Sequence, residues 1–149
     1  MADTTNVRKA VGTRLFCCLT ESGTFTEVGE ITDLGEYGKT YDIIKFQALA
    51  TGKTFKFTGA YDEGQLAMEL GQDLEDAGQA MLLANLGSSI YFQIQFDDAA
   101  AASGSTGTID DFLGTIVSFK TKVGGPNGII GASCTIEISG DVTRTPASS

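Results

Sequence analysis

Three pairs of adjacent carboxylates, Asp62-Glu63, Asp97-Asp98 and Asp110-Asp111, are the residues of this sequence best equipped for acid–base or metal chemistry. Such work needs two carboxyl groups opposed across a cleft, one giving a proton and the other taking it or attacking. Neighbours in a chain rarely face each other that way, and none of the pairs has the spacing of a calcium loop. They read as solvated loop charge. Nucleophilic chemistry is no better served. The 149 residues contain no histidine, so no serine or cysteine has an imidazole base and no imidazole metal site can form. "GASCT" does not fit the GxSxG elbow, and "GGPNGIIG" lacks the Lys-Ser/Thr of a phosphate loop. Cys17, Cys18 and Cys134 form an odd set without CxxC spacing, as expected of small buried hydrophobes in a reducing compartment. Strand alternation sends Cys17 and Cys18 to opposite faces. The chain is therefore expected not to be an enzyme and to need no metal or cofactor.

Composition narrows the class further. A formal net charge of −9 argues against a surface that grips nucleic acid, because neutralising phosphates takes Lys and Arg. It leaves room for nucleic acid that passes nearby without being held. The hydrophobic share of 42% supports a packed core, and 19 glycines against 2 prolines suggest many turns between short strands. The length suits a single domain, 1–149. No run approaches the ~18 apolar residues of a membrane span, so no membrane insertion is expected. "MADTTNVRKA" lacks the apolar centre of a signal peptide, so the protein is expected to be soluble and made where it folds.

The elements that would position any site are mostly strands. "TRLFCCLT" puts Leu15, Cys17 and Leu19 on one face, and "KTFKFTG" puts Phe55 and Phe57 inward with Lys56 outward. "EGQLAMELGQ" alternates between Gly64 and Gly71 and reads as a strand, although its residues are also good helix formers. One helix is expected over about residues 73–86, N-capped by Asp73 with Asp76 completing a capping box and Gly87 as the stop. "IYFQIQF" buries Phe92, Ile94 and Phe96. "GTIVSFKTKV" sets Val117, Phe119 and Val123 against Ser118, Lys120 and Lys122, and "ASCTIEISG" buries Cys134, Ile136 and Ile138. Residues 1–9 and 143–149 read as flexible arms, 97–107 as a mobile loop, and Pro126-Asn127-Gly128 as a tight turn. The order of strands, one helix, then strands indicates a mainly β protein: an antiparallel β-sandwich or barrel with one flanking α-helix.

One stretch fits no single element. In "EVGEITDLGEYGKTYDII", Glu27–Ile44, the apolar residues Val28, Ile31, Leu34, Tyr37, Tyr41, Ile43 and Ile44 are interrupted by three glycines and interspersed with five acids. A solvated loop should not carry that much apolar surface, nor a regular strand that much glycine.

This stretch opens a series, "GTFTEVGEITDLGEYGKTYDII", "FTGAYDEGQLAMEL", "DAGQAMLLAN" and "FLGTIVSFKTKVGGPNGIIGASCTIEISGDVT", that spans most of residues 10–143. In order and spacing the series resembles the major tail tube protein of long non-contractile-tailed bacteriophages and the tubes of phage-like gene transfer particles. The resemblance implies hexameric rings that stack into a hollow tail tube conducting the genome during ejection. It also implies a place in the virion tail after assembly in the host bacterial cytoplasm. The implied partners are the chain itself, a tape measure protein inside the tube, tail terminator and distal tail or baseplate proteins at its ends, and double-stranded DNA in transit without specific binding. Two departures stand out. Some members carry an immunoglobulin-like domain after the tube domain, and the present sequence is expected to have none. Relatives often have an Asp-Val-Thr-like strand start after the position of "YDIIKF", where this chain has "KFQAL".

Under the resemblance, 27–45 is an assembly loop and its seven apolar residues form a subunit interface. Asp110, Asp111 and Glu137 become candidate lumen-facing acids, since like charge on a bore wall keeps DNA from sticking within a screening length of ~8 Å. Two alternatives remain: a type VI-like secretion tube subunit, whose fold is shared, and a monomeric β-sandwich ligand-binding module using Tyr41, Tyr61 and Tyr91.

Overall fold

The computed structural model describes residues 10–98, 107–126 and 128–147; the N-terminal arm 1–9, most of the 97–107 loop and Asn127 lie outside the described residues. Among the described residues nine strands and one helix follow in the order β1 (Arg14–Cys18), β2 (Thr26–Val28), β3 (Ile31–Asp33), β4 (Thr40–Gln47), β5 (Thr54–Asp62), β6 (Gln65–Gly71), α1 (Ala77–Ala84), β7 (Ser89–Gln95), β8 (Ile109–Lys122) and β9 (Gly131–Thr145). Seven strands form one antiparallel sheet in the order β2-β1-β7-β8-β9-β6-β3, and β4-β5 form a separate two-stranded hairpin. The fold is thus mainly β and antiparallel with one helix, and the sheet does not close into a barrel.

Its curvature follows from connectivity. The edge strands β2 and β3 are consecutive, joined only by Gly29 and Glu30. That link spans at most about 11 Å between Val28 and Ile31, so opposite edges of the sheet must come close together. Glu30 makes the turn with φ 62°, in the left-handed region. The inner face of the curled sheet holds one apolar core, including Leu15, Cys17, Leu66, Met68, Ile90, Phe92, Ile94, Phe112, Ile116, Cys134 and Ile136. Phe92 lies opposite Phe112 in register, the rings stacked with centroids 5.5 Å apart. Alternation in β6 and β9 buries the residues expected of it, and "QLAMELG" is a strand; in β1 Leu15 and Cys17 are buried but Leu19, past the strand's end, is 56% exposed, and beyond β7 Phe96 is only partly buried.

Three expectations are corrected. Val117 is 49% exposed while Ile116 is fully buried. The β8–β9 register shifts between Ile116 and Ser118, so Val117 is a bulge residue and the inward parity changes before Phe119. The helix is N-capped by Asp76 and not by Asp73; Asp76 accepts from the Gln79 amide at 2.9 Å, whereas Asp73 closes a turn onto the Glu75 amide. The stretch 143–145 is no loose arm, because it pairs with Ile109–Asp111 as the end of β9.

The helix lies directly on the sheet's β2 edge. A Cβ built on Gly78 would stand 2.2 Å from the Glu27 carbonyl oxygen and 2.6 Å from the Val28 Cα. Both contacts are backbone and cannot swing aside. Gly78→Ala should therefore destabilise the domain by about 1–3 kcal/mol despite the better helix propensity of alanine, as urea unfolding would show.

Candidate functional site

The seven residues of the ambiguous stretch divide into two groups. Val28 is in the core, and Ile31, Leu34 and Tyr37 are partly buried against it. They belong to the domain's own packing, so Glu27–Lys45 is not one assembly loop and these four are no free interface. Strand pairing and the close β2–β3 link bring them home. Tyr41, Ile43 and Ile44 are about half exposed on β4. The structure adds four aromatic or aliphatic neighbours that the spacing of the stretch did not include: Phe46, Leu49, Phe55 and Phe57.

In the hairpin, Ile44 lies opposite Phe57 and Phe46 opposite Phe55, which places all four on one face. Each is at least 50% exposed. Phe55 and Phe57 thus share a face as their alternation required, but no part of the described chain covers that face. The opposite face carries the Lys45–Lys56 pair. At the turn, the Gly52 amide donates to the Ala48 carbonyl at 2.8 Å, Gly52 has φ 70°, and Leu49 is fully exposed.

The hairpin's base is held by polar contacts. The Tyr61 hydroxyl donates to Asp141 Oδ1 at 2.7 Å; Lys39 Nζ lies 3.7 Å from the same oxygen and 4.4 Å from the Tyr61 ring centroid. Bonding to Asp141, reinforced by its charge, pushes the Tyr61 hydroxyl above its ordinary range. Tyr41 packs on Tyr61 with centroids 5.3 Å apart. Below them, buried Glu63 accepts from the Val142 amide at 2.8 Å, and the Gly38 amide donates to the Glu63 carbonyl. Asp141 and Val142 are available because β9 bulges. Between the Asp111–Thr143 and Leu113–Ser139 pairs, β9 has three residues against one on β8.

The candidate lumen acids also divide. Asp110 is fully buried and cannot line a bore. Its carboxylate receives Arg144 Nε at 2.8 Å and Nη2 at 2.9 Å, and a hydrogen bond from the Tyr37 hydroxyl. Burial alone would raise the Asp110 carboxyl, but these donors and the guanidinium charge outweigh it and hold it below the usual carboxylate range. Asp111, on the other face of β8, accepts from Gln93 Nε2 at 3.1 Å, and Glu137 is exposed on β9. The other acid pairs have structural partners. Asp62 accepts from the Gly64 amide, and Asp98 accepts from the Thr108 amide and hydroxyl. Among the described residues no three Cys, Asp or Glu side chains gather as a metal site. Cys17 and Cys134 lie in the core, where burial pushes both thiols up to about 12; Cys18 is buried on the other side of the strand, near Thr20. Of the three tyrosines of the ligand-binding alternative, Tyr91 lines a different groove, with Phe25 and Leu113.

No protein-family profile matches the chain, and no curated protein matches it by sequence. Solved structures do match in fold. One, from the six-fold symmetrised baseplate of the anti-feeding prophage, has a TM-score of 0.73 at 9% identity and covers 97% of this chain and 98% of that one. A second, from the sheath/tube terminator of an extracellular contractile injection system, has a TM-score of 0.68 at 11% identity and covers 96% and 99%. A third, from the tail of an empty GTA particle with C6 symmetry, has a TM-score of 0.69 at 15% identity and covers 93% and 99%.

Two measurements check the site as drawn. Ile44→Asp should leave unfolding free energy within about 0.5 kcal/mol of wild type, while Val28→Asp, which buries a charge, should unfold the domain or cost more than about 3 kcal/mol. Asp110→Asn should destabilise by about 1–3 kcal/mol at pH 7. Because the folded carboxyl is depressed, Asp110 stabilises above its unfolded pKa of about 3.9 and loses that contribution as pH falls through the lower folded value. The gap between wild type and variant in urea titrations should therefore close below about pH 4. Nearly end to end, the chain has a fold shared by components of phage-like tails and contractile injection particles.

Proposed function

We propose that this chain is a structural tube subunit that assembles with itself into hexameric rings, stacked as the hollow tail tube of a phage-like particle. The observation that carries the reading is the β4–β5 hairpin, held at its base and apolar along a face that its own chain leaves uncovered. Exposed apolar patches of this kind mark interaction surfaces. Supporting it is the end-to-end fold similarity to particle components, two of them from assemblies described with six-fold symmetry. In this reading the genome passes through the bore unbound, Glu137 and Asp111 are the acids left to face it, and the chain has no enzymatic role. A tape measure protein fills the tube before ejection, and terminator and baseplate proteins close its ends.

A second reading, the inner tube of an injection apparatus, is favoured by the extracellular contractile injection system among the structural neighbours. The contents of particles purified from producing cells separate the two: packaged DNA supports the phage-like tail, and a sheath with protein cargo supports the injection tube.

Negative-stain microscopy and sedimentation velocity of concentrated protein test the common core. Rings or tubes are expected, and they should disappear in Phe46→Asp and Phe57→Asp variants that keep wild-type thermal stability. A uniformly monomeric wild type, across salt and concentration, would refute the tube.

A further inference from the structure

Resting on that self-assembly reading, we propose the acceptor: the hairpin tip of one copy docks into a notch at the far end of β6 on a second copy. The notch has a volume of about 630 Å³ and joins the approach to α1 with the β8–β9 connection. Its wall combines the acids Glu30, Asp73 and Glu75 with the apolar side chains Leu74, Ile129 and Ile130. Leu74 is 80% and Ile129 86% exposed, an unusual state for two large aliphatic residues side by side. Gln72, in the same wall, holds a buried side-chain oxygen with no hydrogen-bond partner among the described residues.

The hairpin is the complement. Ile43–Thr58 contains Lys45, Lys53 and Lys56 and no acid, in a chain of formal net charge −9. Its apolar face ends in fully exposed Leu49 at the turn. Basic and apolar therefore meets acidic and apolar. Lys120 and Lys122 lie at the same end of the sheet as the notch. Lys122 pairs with Gly131, which pairs in turn with Gly71 of the notch wall. Gly131 directly follows Ile130 of the wall, so Lys122 stands about one strand spacing, ~5 Å, from the wall's β8–β9 side, and the three acids there outnumber it.

Position excludes the simpler pairings. Gln65 follows the hairpin directly and Gly71 lines the notch, so the hairpin's root and the notch sit about 20 Å apart at opposite ends of β6, and Leu49 at the tip is fully exposed in its own chain. Two hairpins meeting face to face would bring six lysines together. A head-to-tail contact satisfies both surfaces, and because donor and acceptor differ, each new copy presents a free acceptor or hairpin for the next.

Charge exchange in the full chain tests this by sedimentation velocity and electron microscopy. Lys53→Glu/Lys56→Glu should raise the concentration needed for assembly about tenfold or more, and Glu30→Lys/Glu75→Lys should do the same. Combining all four changes in one chain should restore assembly. If the notch variant assembles like wild type while Phe46→Asp abolishes assembly, the notch is not the acceptor and the tube reading survives. A wild type that never self-associates removes both. Should a charge variant fail to fold, a Leu49→Cys chain mixed with a Leu74→Cys chain under oxidation provides the readout. A disulfide-linked heterodimer supports the contact, and its absence in a mixture that still forms tubes overturns it.

Discussion

Two residues, Gly29 and Glu30, govern the architecture. They join strands that lie at opposite edges of a seven-stranded sheet, so the sheet curls and its inner face becomes a closed apolar interior. The edges meet without pairing, which would leave backbone groups unmet at the junction. The start of the helix supplies what is missing. Asp76 accepts from the Gly29 amide at 3.1 Å as well as from Gln79, while Gln79 Nε2 donates to the Gly29 and Gly71 carbonyls at 2.9 and 3.1 Å. The Gly71 amide donates to the Glu30 carbonyl at 2.8 Å. Buried Gln79 thus links β2, β6 and α1, and Gly78 allows the helix close enough for it to do so.

The same closure explains the hairpin. A sheet whose inner face is filled by its own curl has no apolar surface left on which β4 and β5 could pack. The hairpin is therefore carried outward on a base of hydrogen bonds and charge, with Asp141 brought into place by the bulge in β9. Polar contacts at the root and apolar surface along the blade have different consequences. The root fixes direction at small cost in stability, while the blade, with side chains each worth roughly 1.5–3 kcal/mol on full burial, gains only when something covers it.

Much of this was legible in the sequence, and the failures have physical causes. Alternation located β6, β7 and β9 because one face of each is buried, and β1 stood out as apolar on both faces. It could not show the bulge at Val117, since an extra residue leaves apolar character intact and changes only parity. The helix start was placed at Asp73 because Asp73 and Asp76 have capping-box spacing; Gln79, three residues after the true cap, carried the better signal. Asp110 shares parity with Phe112 in "IDDFLG", which marks it as inward, but its partner Arg144 stands in a stretch that composition reads as a loose tail. The seven residues of Glu27–Ile44 looked alike because type and spacing do not record whether a sheet's own curl reaches them. Val28 is within that curl and Ile44 is beyond it.

Charge placement then sets how copies of this chain meet. Molecules of net charge −9 repel one another at distances where their apolar surfaces cannot act. The stretch Ile43–Thr58, with three lysines and no acid, is where that repulsion is locally reversed, and it coincides with the hairpin's uncovered apolar face. Attraction therefore begins at the surface that can also bury area, so charge selects the encounter and apolar contact holds it. A chain with the same apolar face and acids in place of those lysines would have the adhesive and no means of aiming it.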